Sequence, residues 1–322
     1  MIADVLEAID GLHVERDAPS GPLCTYRVGG PIDVLVRVET AEALHEAVAV
    51  LAAHDAETIT IGKGSNLLIA DDGFRGVALV LGDAFSTTQI EGAIVRSGGA
   101  AALPVVARST VNAGLAGFEW AVGVPGSIGG AVRMNAGGHG SDMAATLVSV
   151  DIADLAEGTV TTRGADSLDL EYRSSSIATS DLVVSATLQL VRGDAELGAT
   201  ELKEIVSWRR ANQPGGANAG SVFTNPKDDS AGRLIDSAGL KGHRVGSAEV
   251  SPKHANFIQA DAGGRADDVM ALMVDVVERV QKQTGVALHA ETRLVGFDDE
   301  LVAAVCGPAA AIEGEDVDVE EN

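Results

Sequence analysis

Apolar positions in this chain recur at two spacings, and the switches between them outline its elements. Ile2, Val5, Leu6, Ile9 and Leu12 follow helical spacing up to a Ser-Gly-Pro loop at residues 20–22, predicting an N-terminal docking helix and loop over 1–22. PIDVLVRV (31–38) alternates as a strand does, Thr40 is placed to cap a helix running to about His54, and TITI (58–61) reads as the next strand. LLIA and GVALVL are short strands, and QIEGAIVRSG is a hairpin turning at Glu91-Gly92. A helix from about Ala101 to Asn112 closes at Gly114, and LVSVDIADL, TVTT and LVVSATLQLV (182–191) add strands. From about Ala199 a helix runs through Arg210, followed by the loop QPGGANAGSVFTNP and short amphipathic pieces around Leu234 and Leu240. A longer helix starts at Asp267 and Asp268, presents Val269, Leu272, Met273, Val276 and Val280 on one face, and ends at Gly285 before a strand TRLVGF. The polar stretch RGDAELG predicts a domain boundary near 192–198.

Composition narrows the class. A chain of 322 residues has room for about two domains, and 46% hydrophobic with 22% charged residues is a globular balance. Lys+Arg 23 against Asp+Glu 47 gives a net charge of −24, which repels a phosphate backbone and excludes nucleic acid as the expected partner. Six of the acids lie in residues 308–322, so the acidity is otherwise spread through the chain. Two cysteines, Cys24 and Cys306, support neither a disulfide framework nor a metal site, and no apolar run is long enough to span a membrane. The expectation is a cytoplasmic protein with no metal and no membrane insertion.

Glycine changes the picture. The chain has 38, and nine fall between Gly114 and Gly140. Gly123, Gly126, Gly129 and Gly130 with Pro125 leave a surface poor in side chains, against which a flat ring or a pyrophosphate can lie, with Ser127 and Asn135 as polar anchors. A glycine-rich packing turn is the alternative. GKGSN (Gly62, Lys63, Gly64, Ser65, Asn66) follows a strand and could aim backbone N–H groups at a phosphate, yet it lacks the P-loop spacing, and no G-x-G-x-x-G follows a strand anywhere. Arg173 in EYRSSS, Ser221 in AGSVFTNP and Glu291 in HAETRLVG each read singly as a surface charge or a turn residue.

Taken in order, these segments form a pattern. TYRVGGP (25–31), GKGSNLLI (62–69), GFEWAVGVPGSIGGAVRMNAG (117–137), YRSSS (172–176), NAGSVFTNP (218–226), AGRLIDSAGLKG (231–242), VSPKHANFI (250–258) and HAETRLVG (289–296) together resemble the UDP-N-acetylenolpyruvoylglucosamine reductase family over about residues 20–298. The resemblance implies an α+β protein: a two-subdomain FAD-binding fold of the PCMH type, as in vanillyl-alcohol-oxidase-like flavoproteins, over 23–194. A smaller α/β substrate-binding domain over 195–300 and an acidic tail over 301–322, expected to be disordered, would follow. It also implies NADPH-dependent reduction of an enolpyruvyl UDP-sugar through noncovalent FAD, in peptidoglycan precursor synthesis. Another FAD oxidoreductase of the same fold, or a non-catalytic sugar-nucleotide-binding module, is the alternative.

By the same resemblance, Gly29, Gly30, Gly62 to Asn66, Gly123, Pro125, Gly126, Ser127, Gly129, Gly130 and Asn135 contact FAD. Arg173, Ser221 and Glu291 form the catalytic trio, and NADPH and substrate take turns at one site. A hydride delivered to the substrate methylene leaves negative charge on the carbon beside the carboxylate. A fixed guanidinium suits that carboxylate, a protonated Glu291 can donate to it, and Ser221 would give its proton to the carbanionic carbon. Only 48 residues separate Arg173 from Ser221, so a tyrosine-bearing insertion of one subtype is absent. Asn212 and Thr224 stand where the family often has lysine, which shifts the expected diphosphate contacts to Arg209, Arg210, Lys253 or His254, with Asn225 a further expected substrate contact.

Overall fold

A computed structural model describes residues 2–307. The expected elements recur with three corrections. Helix Ile2–Glu7 is short, and the chain then forms strand Leu12–Pro19, so residues 1–22 are not one helix and its loop. The strand pairs antiparallel with Pro31–Val38 from Leu12↔Val38 to Pro19↔Pro31. Leu12 is buried while Glu15 and Arg16 are exposed, so an edge strand with one wet face absorbs the polar run HVERD that helical periodicity had passed over.

The second correction concerns domains. Among the described residues, one compact unit comprises 2–19, 31–65 and 75–212; the other comprises 20–30, 66–74 and 213–307. RGDAELG is therefore not a linker. Val191–Arg192 pairs with Leu115–Ala116, and helix Ala195–Asn212 carries Gly198 against Val111, where an added methyl would sit 2.8 Å from Val111 Cγ1. That close approach joins the helix to Leu103–Asn112 in the first unit. The third correction is at the C-terminal end: Asp299–Cys306 is a helix with Val305 fully buried, and the remainder of the expected acidic tail, 308–322, lies outside the described residues.

The first unit is built on two larger sheets. A four-stranded sheet runs in the order Leu12–Pro19, Pro31–Val38, Phe74–Leu81, Thr58–Thr60. Helix Ala41–Ala53 buries Leu44, Ala47, Val48 and Leu51, and its first turn is capped by Thr40, whose Oγ1 accepts the Ala43 N–H at 3.1 Å. A five-stranded antiparallel sheet follows the order Thr159–Gly164, Leu147–Asp154, Asp181–Gln189, Ile94–Gly98, Thr88–Glu91. Two apolar cores serve these sheets, one centred on Val36, Leu44 and Leu79, the other on Val106, Trp120, Ile128 and Leu188.

The second unit packs helix Ala266–Thr284 against an antiparallel sheet of Arg244–Val245, Ala248–Val250 and Ile258–Ala260. The predicted face of that helix is fully buried, and Gly285 closes it at φ +75°. Leu67–Ile69 pairs in parallel with Arg293–Val295, with Arg293 opposite Leu67. Residues more than two hundred apart in sequence thus share one ladder.

Candidate active site

The first unit brings the two glycine loops together and ties Arg173 to the end of the glycine-dense segment. A methyl placed on Gly62 would lie 2.6 Å from Ser127 Oγ, and one on Gly126 would touch Leu103 and stand 3.8 Å from Ser65 Oγ, so the loops GKGS and Gly123–Gly130 meet where neither carries bulk. Ser127 accepts the Gly130 N–H and starts helix Ile128–Arg133. Gly129 is pressed onto the five-stranded sheet, its N–H donating to the Gly99 carbonyl at 2.9 Å. Lys63, Pro125 and Gly130 face solvent. The result is a surface of closely apposed backbone, poor in side chains, which fits a pyrophosphate or a flat ring.

Arg173 sits at the tip of a tight turn closed by reciprocal hydrogen bonds between Glu171 and Ser174, and it adopts φ +59°. A bulky residue in the left-handed region costs roughly 1 kcal/mol or more and persists only where its surroundings hold it. The holding contacts are visible. Asn135, 2% exposed, donates from Nδ2 to the Glu171 carbonyl at 2.9 Å while its Oδ1 accepts the Ala144 N–H at 2.9 Å. Ser175 Oγ donates to the Arg133 carbonyl at 2.5 Å, and Arg173 Nη2 donates to the Gly137 carbonyl at 2.9 Å. Asn135 therefore spends its amide on fixing the arginine turn to the end of the glycine-dense segment. Arg209 braces the same segment by donating to the Gly123 carbonyl, and burial lowers its pKa. Arg210 lines a cavity of about 260 Å³ with Arg108, Lys203 and Ser207.

The second unit brings Ser221 and Glu291 side by side. Asn218 Oδ1 accepts the Gly220 N–H, Gly220 turns at φ +78°, and Ser221 enters an extended strap. On one side of that strap Val222 accepts the Glu291 N–H at 2.7 Å, Phe223 bridges to Ala290, and the Thr224 N–H donates to the His289 carbonyl. On the other side Asn256, which the sequence did not single out, holds Phe223 twice: Oδ1 accepts its N–H at 3.0 Å and Nδ2 donates to its carbonyl at 2.8 Å. The Val222 N–H also donates to the Asn256 carbonyl at 2.9 Å. Ser221 and Glu291 are both half-buried, placed at the margin of a core rather than in it.

The remaining expected residues separate by task. Gly29 and Gly30 lie against the turn after Leu67–Ile69: a methyl on Gly30 would fall 2.0 Å from the Asp71 carbonyl oxygen, and Gly29 adopts φ +121°. That glycine pair is required by packing. Asn66 donates to the Glu291 carbonyl at 2.9 Å. Asn225 accepts the Ala231 N–H at the start of helix Ala231–Ser237. The Lys253 N–H donates to Ser251 Oγ, and half-buried His254 stacks edge-on to Phe257, its pKa lowered by burial and by nearby Lys241. Among the described residues no group of acids, cysteines and histidines could hold a metal ion, and no helix is long and apolar enough to cross a membrane.

Comparison with known proteins gives concordant matches for both parts of the chain. Residues 32–164 match an FAD binding domain, and residues 212–295 match the C-terminal domain of UDP-N-acetylenolpyruvoylglucosamine reductase. The reductase of that name from Bacillus subtilis is 37% identical over 298 residues, covering 91% of this chain and 98% of its own length. The one from Rubrobacter xylanophilus is 38% identical over 282 residues, covering 87% and 94%. Among solved structures, the UDP-N-acetylenolpyruvylglucosamine reductase of Thermus caldophilus superposes with a TM-score of 0.77 at 34% identity, covering 88% of this chain and 99% of that one.

Proposed function

The chain belongs to the UDP-N-acetylenolpyruvoylglucosamine reductase family, and from that premise we propose that it reduces UDP-N-acetylglucosamine enolpyruvate to UDP-N-acetylmuramate with NADPH as hydride donor. It is an FAD-dependent oxidoreductase of α+β class, with the PCMH-type fold expected from its motifs. FAD, when bound, supplies a two-electron carrier between the nicotinamide and the substrate. The residues suited to hold it are those of the side-chain-poor surface, Gly62 to Ser65 and Gly123 to Gly130, where backbone can approach a pyrophosphate closely.

The observation that carries the mechanism is the backbone hydrogen bond between Glu291 and Val222. The Val222 carbonyl accepts the Glu291 N–H, so Ser221, the residue just before Val222, and Glu291 are fixed on neighbouring backbone. In the reaction Arg173 pairs with the substrate carboxylate, where a permanently charged guanidinium stabilises the charge that builds at the adjacent carbon. Glu291 in its protonated form donates to the same developing charge. Ser221 gives its hydroxyl proton to the carbanionic carbon, a step within reach of a weak acid because the carbanion is strongly basic. NADPH and substrate use one site in turn, and the enzyme acts in the cytoplasm, in cell-wall precursor synthesis.

The test is spectroscopic. Purified protein should show flavin absorption that bleaches with anaerobic NADPH and returns on adding UDP-N-acetylglucosamine enolpyruvate. Reoxidation by a small alcohol's carbonyl product instead would favour another oxidoreductase, and binding without bleaching would leave a non-catalytic module.

A further inference from the structure

The ladder joining Leu67–Ile69 to Arg293–Val295 stops two residues short of Glu291. Arg293 pairs with Leu67, and its N–H donates to the Asn66 carbonyl at 3.0 Å. Beyond that point no further strand pairing continues toward Glu291, so the carbonyl of Glu291 lies past the last rung. Asn66 supplies the missing donor from its side chain: Nδ2 donates to the Glu291 carbonyl at 2.9 Å across 225 residues of sequence. Its own backbone carbonyl meanwhile holds Arg293, so one residue grips both ends of the Glu291–Arg293 segment. A contact of such sequence separation is not a by-product of local turn chemistry.

The opposite side of the same segment is also fixed, since the Glu291 N–H donates to Val222 at 2.7 Å and the Ala290 N–H to Val305 at 2.8 Å. With the amide of Glu291 tied to the Ser221 strap and its carbonyl tied to Asn66, the peptide planes on both sides of its Cα are set. The direction in which its side chain leaves the backbone follows.

We propose that Asn66 is a positioning residue for Glu291, acting on the proton-transfer half of the reaction through the Glu291 carbonyl. As the last residue of GKGSN, Asn66 is by the family resemblance a cofactor contact; its side chain instead meets Glu291. The inference rests on the proposed reductase reading for the role of Glu291, whereas the hydrogen-bond clamp stands on the structure alone.

The experiment uses the full chain with FAD and two variants. Asn66→Ala removes the side chain; Asn66→Asp keeps its size and packing but can only accept when ionised, so it too loses the donor to Glu291. Hydrogen exchange measured by mass spectrometry should rise at residues 290–293 in both variants, with the five-stranded sheet unchanged. Stopped-flow absorbance should show flavin reduction by NADPH within about twofold of wild type, and reoxidation by UDP-N-acetylglucosamine enolpyruvate slowed by on the order of tenfold or more at saturating substrate.

Unchanged exchange at 290–293 would overturn the clamp. Loss of bound flavin with slowed reduction in Asn66→Ala, and a normal reoxidation rate per flavin, would make Asn66 a cofactor contact and overturn the proposal. If wild type itself fails to be reoxidised by the enolpyruvyl substrate, the reductase reading fails, and the exchange result alone then decides whether Asn66 holds Glu291.

Discussion

Asn256→Ala isolates what holds the Ser221 strap. The asparagine is 4% exposed, and its side chain satisfies both the N–H and the carbonyl of Phe223, itself 2% exposed. Truncation leaves both backbone polar groups of one residue without partners in a place that water reaches poorly. Each such loss costs about 1–3 kcal/mol, so the pair sums to about 2–6 kcal/mol, and partial relaxation of the strap argues for the lower half, about 3 kcal/mol. At 1.4 kcal/mol per factor of ten, local opening around Phe223 should become on the order of 10²-fold more frequent. The assay is amide exchange at residues 221–224, read beside residues 147–154 of the first unit, which should not change. Catalysis should fall as well, because Ser221 loses its fixed neighbour: flavin reduction by NADPH stays near wild type and reoxidation by substrate slows. Asn256→Asp, which keeps the acceptor but sets a carboxylate against the Phe223 carbonyl, should be no better than alanine. Exchange at 221–224 within threefold of wild type would refute the reasoning, since it would mean that the Val222 and Thr224 ladder bonds alone hold the strap.

Other outcomes follow from the same structure. Ser221→Ala should leave flavin reduction by NADPH intact and slow substrate-driven reoxidation by on the order of 10²–10⁴, with Ser221→Cys recovering part of the loss in stopped-flow absorbance. Gly30→Ala should destabilise by about 3 kcal/mol in urea titration, because its methyl would fall on the Asp71 carbonyl, and the loss should appear in the apo-protein as much as in the holoprotein. Acid precipitation should release the flavin into the supernatant. Deleting residues 308–322 should leave flavin content and substrate KM unchanged within twofold. His254 has a folded pKa below its ordinary value of 6.5, so its contribution to stability is present above that pH and is lost as pH falls toward the folded pKa; His254→Gln should flatten the acid limb of a stability–pH curve.

Periodicity carried most of the fold because most elements are amphipathic in the ordinary way. The face Val269, Leu272, Met273, Val276 and Val280 is buried as its spacing requires, and Thr40 caps the helix it precedes. The failures have identifiable causes. In the first twenty residues a helical spacing of Ile9 and Leu12 continued by coincidence past Glu7, where pairing with Pro31–Val38 outweighs local preference. At 192–198 polarity and a glycine imitated a linker, whereas Gly198 is there to let one helix approach another. Nor can periodicity reveal that residues 20–30 and 66–74 belong with the C-terminal unit, because that assignment depends on contacts such as Leu67 with Arg293 that have no local signature.

The site shows the same limit more sharply. Arg173, Ser221 and Glu291 are proposed as a trio only from an ordered set of motifs, since each alone reads as an ordinary charge or turn residue, and the glycine loops stand out by composition. What sequence could not separate is a polar residue that meets a ligand from one that holds another residue in place. Asn66, Asn135 and Asn256 lie within or beside the motifs, yet each spends its side-chain amide on a backbone carbonyl of a segment bearing one of the proposed catalytic groups: Glu291 itself, Glu171 in the Arg173 turn, and Phe223 in the Ser221 strap. Asparagine suits this work because one planar group both donates and accepts, so it can continue a ladder where the backbone has none to offer. An asparagine in a glycine-rich or loop motif is thus ambiguous until its partner is known, and here the three partners lie 36, 33 and 225 residues away. Such distances put the information in the fold and not in any local segment, which is why catalytic groups could be proposed from ordered motifs while their supports could not.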